Sequence, residues 1–233
     1  MSETVNDVLP FRALHYDPQK VGEVGLCLAQ PYDVISPTQQ ERYYRQHEQN
    51  IIRLILNRQE PGDGEGDNRY TRARDLLQDW RRRGVLTHTE RPSFWVYEQE
   101  FDIPEIGRKK VKGFIGLVRL QDYDNRRILP HEKVMNRPLE DRIRLARATG
   151  TQFEYIWSLY QDKAYVIDNV LDAVEKEQPI VDFFEQQTLV RHKMWRLADE
   201  RQCEIVRRTM QRLKIYIADG HHRYQAMLTF RDE

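Results

Sequence analysis

The chain is short of three things, and each shortage excludes a class of function. It has two cysteines, Cys27 and Cys203, in 233 residues. Two thiols so far apart in sequence cannot build a disulfide framework or a zinc site, so both are expected reduced, in a cytoplasm. No apolar run approaches the ~20 residues of a membrane helix, and the opening residues do not read as a signal peptide. Neither sign of charge is in excess: Lys and Arg total 37, Asp and Glu total 37. That balance leaves no overall basic field and argues against a nucleic acid as partner. Arginine gathers only locally, at Arg81–Arg83 and at Arg142, Arg144 and Arg147. The first group precedes Gly84 at an expected helix end, where cations compensate the dipole.

What remains is the composition of a soluble globular protein, 39% hydrophobic and 32% charged, long enough for one large domain or two small ones. Pro31–Ile35 reads as a short extended piece. Ser36, Pro37 and Gln39 form a helix start, with a cap, a first-turn proline and a capping-box partner, and the helix runs to about Gln46. Ile51–Leu56 reads as a strand, and 61–68 (PGDGEGDN) as an acidic loop. Tyr70, Ala73, Leu76, Leu77 and Trp80 mark an amphipathic helix closed by Gly84. Ser93–Phe101 and Val111–Leu120 read as a hairpin. Pro138 opens a helix, Glu154–Tyr160 and Tyr165–Ile167 read as strands, and 168–177 as a helix. Thr188–Leu197 is a strand, and Asp199 caps a helix with Cys203, Val206, Met210 and Leu213 on one face. Strands alternate with helices, so the class is α/β or α+β.

Two stretches carry chemistry. The first is Lys214 to Tyr224. An apolar strand ends at Ala218, Asp219-Gly220 turns, and His221, His222 and Arg223 open a helix whose apolar residues are Ala226, Met227 and Phe230. A helix N-terminus offers unpaired N–H groups and partial positive charge, glycine permits close approach, and arginine grips phosphate with a two-pronged fork. An anion site competes here with a plainer reading, in which Asp219 caps the helix and the histidines sit in solvent. The second stretch is Leu129-Pro130-His131-Glu132. Proline keeps it extended, so His131 and Glu132 point to opposite faces. A carboxylate beside a nucleotide can orient magnesium or take a proton from a hydroxyl. The alternative is a solvent-exposed turn. The chain stops at Thr229–Glu233, within or just after a helix turn, as a fragment would.

Taken together, 31–36 (PYDVIS), 50–54 (NIIRL), Tyr97-Glu98-Gln99, 129–132 (LPHE), Asp141-Arg142, Arg147-Ala148-Thr149 and 218–224 (ADGHHRY) resemble the prokaryotic family catalogued as domain of unknown function 1015. The resemblance runs from Pro10 to about Phe230. The pairing of Pro130-His131-Glu132 with Asp219-Gly220-His221-His222-Arg223 is also similar to the ParB/sulfiredoxin fold group, and within it to the archaeal free serine kinase. That resemblance implies an α/β (or α+β) fold with a mixed-sheet nucleotide-binding core at 111–233 and an α/β extension at 1–110. It implies Glu132 as base and Asp219 as a metal or hydroxyl partner. Gly220, His221, His222 and Arg223 would hold phosphates, with His131 lining the site. Mg, carried by Asp219 and Glu132, and ATP or ADP are the cofactors implied, with a small hydroxylated acceptor such as serine and neither membrane nor nucleic acid as partner. Sulfiredoxin needs a cysteine where this chain has His221, which argues against sulfinic acid reduction. ParB proteins hold CTP on a related turn and carry a DNA-binding helical domain, which has no counterpart here. The alternative implied is a ParB-like nucleotide switch with little turnover.

Overall fold

The computed structural model describes residues 7–132 and 136–233, with the side chains of 136–138 outside that description. In chain order it runs β1 (Val8–Leu9), β2 (Leu14–Tyr16), α1 (Pro18–Val21), a 3-10 turn (Tyr32–Val34), α2 (Pro37–Gln46), α3 (Ile52–Ile55), α4 (Arg69–Arg82), β3 (Leu86–His88), β4 (Phe94–Ile103) and β5 (Gly107–Ile115). It continues with β6 (Leu117–Val118), β7 (Ile128–Leu129), α5 (Asn136–Thr149), β8 (Trp157–Leu159), α6 (Val166–Glu175), β9 (Val181–Glu185), β10 (Val190–Leu197), α7 (Glu200–Met210), β11 (Ile215–Asp219) and α8 (His221–Asp232). Helices and a mix of parallel and antiparallel strands make the fold α/β, as the alternation in sequence predicts.

The chain forms two compact units, each assembled from three stretches. The first takes residues up to 13, 89–129 and 158–216. Its centre is an antiparallel sheet of order β5-β4-β10-β9. Successive side chains of a strand face opposite ways. Phe94, Val96 and Glu98 of β4 are therefore buried together, with Trp195 and Leu197 of β10. α6 packs on β4 and β10 and also meets α7, bringing Ile167, Val170, Leu171 and Val174 into the core. The one carboxylate in that buried row, Glu98, lies 2.9 Å from Lys110 and 3.5 Å from Lys193. Lys110 and Lys112 also reach Glu175 of α6, at 2.6 and 2.7 Å, so charge as well as apolar area fastens the helix to the sheet. Residues 110 and 111, the boundary expected from the sequence, both lie inside β5.

The second unit takes 14–88, 130–157 and 217–233. Tyr16, Val21, Cys27, Leu54, Leu77, Trp80, Val85 and Leu86 form its main core cluster. α5 packs against α4 and α8. Helix starts follow their caps. Ser36 Oγ accepts from Gln39 N–H while the Gln39 side chain accepts from Ser36 N–H, which is the expected capping box. Asn68 and Thr71 make a second one at the head of α4.

Three local expectations are corrected. Ile51–Leu56 is not a strand: 52–55 is a helical turn. Asn50, fully buried, accepts from Ile52 N–H at 2.9 Å and donates to the Leu26 and Leu28 carbonyls, and those bonds set the turn. Tyr165–Ile167 is the entry to α6, where Asp162 accepts from Ile167 N–H at 2.8 Å and from Ala164 N–H at 3.2 Å. Pro31–Ile35 contains a 3-10 turn, held by Tyr32 N–H donating to Glu154 at 2.8 Å. Elsewhere the hairpin of β4 and β5, the strand β10, and helices α4 and α7 fall close to where they are read in the sequence. The strand expected at Glu154–Tyr160 is shorter, at Trp157–Leu159, and the helix expected to open at Pro138 spans Asn136–Thr149.

Candidate functional site

The apolar run from Ile215 makes β11, with Ile215 and Ile217 buried, and it delivers Asp219 to the surface. Gly220 then takes φ 97°, and α8 begins at His221. A side chain at 220 would strain that backbone. Its Cβ would also sit 3.1 Å from Arg223 Nε and 3.3 Å from Ile156 Cα. The first intrahelical bond runs from Tyr224 N–H to Gly220 C=O, so the N–H groups of 221–223 are the ones a helix of this kind presents at its end. Asp219 does not cap them: α8 has no side-chain cap.

The Pro130-His131-Glu132 segment is fastened to this turn across about ninety residues of sequence. His131 Nδ1 bonds the Ile217 carbonyl at 2.8 Å, and His131 N–H donates to His221 Nε2 at 3.2 Å. These two bonds assign the protons. A carbonyl only accepts, so His131 carries its proton on Nδ1, and in the neutral ring Nε2 keeps a lone pair. The backbone N–H only donates, so neutral His221 has its lone pair on Nε2 and its proton on Nδ1. Burial pushes the His221 pKa down, against the pull of Glu132, and keeps the ring neutral near pH 7. Nδ1 of His221 lies 2.9 Å from Glu132 Oε1, yet no aligned hydrogen bond forms there, and this atom is buried without a hydrogen-bond partner. The Glu132 side chain itself is half exposed.

His131, Glu132 and His221 offer ligand atoms all within 4.8 Å of one another, which corrects the expectation that His131 and Glu132 point to opposite faces: β7 ends at Leu129 and the chain bends at 131–132. The proton positions divide this set. His131 Nε2 and the Glu132 carboxylate can face a cation, while His221 has its proton on the nitrogen nearest Glu132. Magnesium prefers oxygen, and beside a nucleotide it takes one or two carboxylates plus phosphates and water. Glu132 fits that role. Asp219 stands outside the cluster, with its carboxylate bonded by Arg223 Nη2 at 2.5 Å.

Arg223 is the residue whose surroundings differ most from the sequence reading. It is buried, and its guanidinium donates to Asp219 and to the Tyr155 carbonyl. The fork expected on a ligand is in part spent inside the fold. His222, the next residue back, is half-buried. The structure therefore brings His131, Glu132, Gly220 and His221 together, and ties Asp219 to Arg223 beside them.

One neighbouring network has no counterpart in the sequence reading of the site. Arg142 of α5 is buried, donates to Glu154 at 3.1 Å and to the Ile55 carbonyl at 3.0 Å, and lies 3.7 Å over the Tyr32 ring. Burial pushes the Glu154 carboxyl up, and Arg142 opposes that shift. The signal available was the Asp141-Arg142 pair together with Tyr32, which the structure joins through Glu154. Glu154 precedes Tyr155, whose carbonyl holds Arg223.

No curated protein and no solved structure matches the chain. The family model described as protein of unknown function (DUF1015) matches residues 8–233. The chain belongs to that family.

Proposed function

We propose that the protein binds ATP or ADP with its phosphates over the N-terminus of α8, and transfers a phosphoryl group to a small hydroxylated metabolite, serine being the first candidate. One observation carries this reading: Glu132 and the His221–Arg223 helix entry meet, with His131 bonded to both β11 and His221. A base and an anion-binding turn at one place are the two parts a phosphotransfer site needs, because the chemistry asks for positioning and charge neutralisation more than covalent help. Glu132, half exposed and facing a neutral histidine, is the group that takes the acceptor proton. Gly220 lets the backbone approach the phosphates, and His221, His222 and Arg223 supply the N–H groups. Magnesium, when bound with the nucleotide, neutralises phosphate charge, and Glu132 is the carboxylate placed to reach it. A cytoplasmic setting fits a protein that draws on ATP. No helix among the described residues is long and apolar enough to cross a membrane.

A second reading is a nucleotide switch with little turnover. It is favoured by the internal engagement of Arg223, which leaves less of its charge for a transferring phosphoryl group. The two separate on incubation with ATP, magnesium and a pool of hydroxylated amino acids, followed by mass spectrometry. ADP together with a phosphorylated acceptor supports the transferase. Tight nucleotide binding with neither product supports the switch.

A further inference from the structure

Beside the α8 turn, two large aromatic side chains face outward. Tyr155 is 60% exposed and Trp157 is 47% exposed, while Ile156 between them is partly covered. This alternation is that of an extended chain, so the two aromatic residues share a face. Isolated exposed apolar residues need no explanation, but neighbouring large ones beside polar residues are a candidate contact surface. The backbone here is fixed to the turn at two points. The Tyr155 carbonyl takes a hydrogen bond from Arg223, and Ile156 Cα lies against Gly220, 3.3 Å from where a Cβ would be. At the same turn, His221 holds a fully buried ring nitrogen without a hydrogen-bond partner, directed toward Glu132.

We propose that Tyr155 and Trp157 form the platform on which the nucleobase of a nucleoside di- or triphosphate stacks while its phosphates occupy the N-terminus of α8. This rests on the nucleotide reading above and adds to it the subsite that holds the base. Flat π surfaces stack on aromatic side chains with little regard to which base they belong to. A serine-like acceptor has no such surface. The platform therefore selects nucleotides over inorganic polyphosphate, and discriminates weakly among bases.

The test is calorimetry with two probes in the presence of magnesium: ATP, and inorganic tripolyphosphate, which carries the phosphates without a base. Wild-type protein is expected to bind ATP more tightly. Trp157→Ala and Tyr155→Ala should each weaken ATP roughly 5- to 100-fold, the scale of one base–aromatic stack, and leave tripolyphosphate unchanged. Trp157→Phe should retain most of the affinity, because a phenyl ring still stacks. It should also abolish the part of the ATP-induced fluorescence change that belongs to this one of the four tryptophans. Equal binding of ATP by wild type and both alanine variants overturns the platform. So does a parallel loss of both probes, which would place the defect in the phosphate turn or the fold. If wild type binds tripolyphosphate as tightly as ATP, the platform falls while the phosphate turn stands. If it binds neither, the nucleotide reading falls and the platform with it.

Discussion

His221 has its proton on the nitrogen nearest Glu132, and that placement follows from a single backbone bond donated by His131. It makes the histidine a neutral neighbour of the carboxylate, where a cation would hold Glu132 in an ion pair. Arg223 stands differently. Its guanidinium bonds to the Tyr155 carbonyl and to Asp219 are internal, and Asp219 remains well solvated while the arginine is buried. Removing the guanidinium would leave the Tyr155 carbonyl without this partner. That bond is part-buried, and a hydrogen bond from a charged group contributes about 1.5–3 kcal/mol. Arg223→Ala is therefore expected to lower stability by about that amount with no nucleotide present, read from denaturant midpoints. Arg223→Lys recovers only part, because an ammonium cannot span both acceptors. An alanine variant as stable as wild type would mean the Tyr155 bond carries no weight, and would return Arg223 to the role of a free phosphate ligand.

At the scale of elements, what could be read in the sequence was local. Ser36 with Gln39, Asp199 before α7, and the spacing of Ala73, Leu77 and Trp80 each fix their own helix, so a reading from neighbours in sequence finds them. The Asp219-Gly220 turn was legible for the same reason: glycine at φ 97° ends the strand and starts α8. Ile51–Leu56 misled because its turn is set by Asn50 reaching Leu26 and Leu28, twenty-four and twenty-two residues away. The Arg142–Glu154–Tyr32 network was invisible as a network because it joins three separate stretches, although Arg142 and Tyr32 each stood in a stretch that carries the family resemblance. Two predictions belong here. Asn50→Ala removes partners from two carbonyls and an N–H in a buried place, and should cost at least about 2 kcal/mol of stability. An exposed asparagine cap would cost closer to ~1 kcal/mol, so a small effect would show that Asn50 does not set the turn. Gly220→Ala should destabilise by roughly 1–3 kcal/mol through left-handed strain and contact with Ile156. A neutral result in thermal melts would contradict the geometry of the turn.

For the whole molecule, the two units are each woven from separated stretches, so no single cut releases either one. A fragment of residues 111–233 would lack β4, which lies between β5 and β10, and the α4 side of the second unit's core. It should show no cooperative unfolding by circular dichroism; a cooperative transition would mean the second half folds alone. Charge sets a further global property. Burial raises the Glu175 carboxyl, but hydrogen bonds from Lys110 and Lys112 outweigh it and hold the pKa at about 2, against an ordinary 4.5. The folded state then binds fewer protons than the unfolded chain between those values, so this contribution is complete above pH 4.5 and is lost as pH falls toward 2. Glu175→Gln should flatten the fall of stability over that interval, and a variant with the wild-type slope would remove the lysine clasp from the account. The central claim is that Glu132 acts on an acceptor while α8 holds the nucleotide, and Glu132→Gln measures it most directly, because the shape stays and the basicity goes. Phosphorylated product formed from ATP should fall roughly a hundred- to ten-thousand-fold while nucleotide affinity barely changes. Product formation equal to wild type, or no product from wild type with any hydroxylated acceptor, would contradict it.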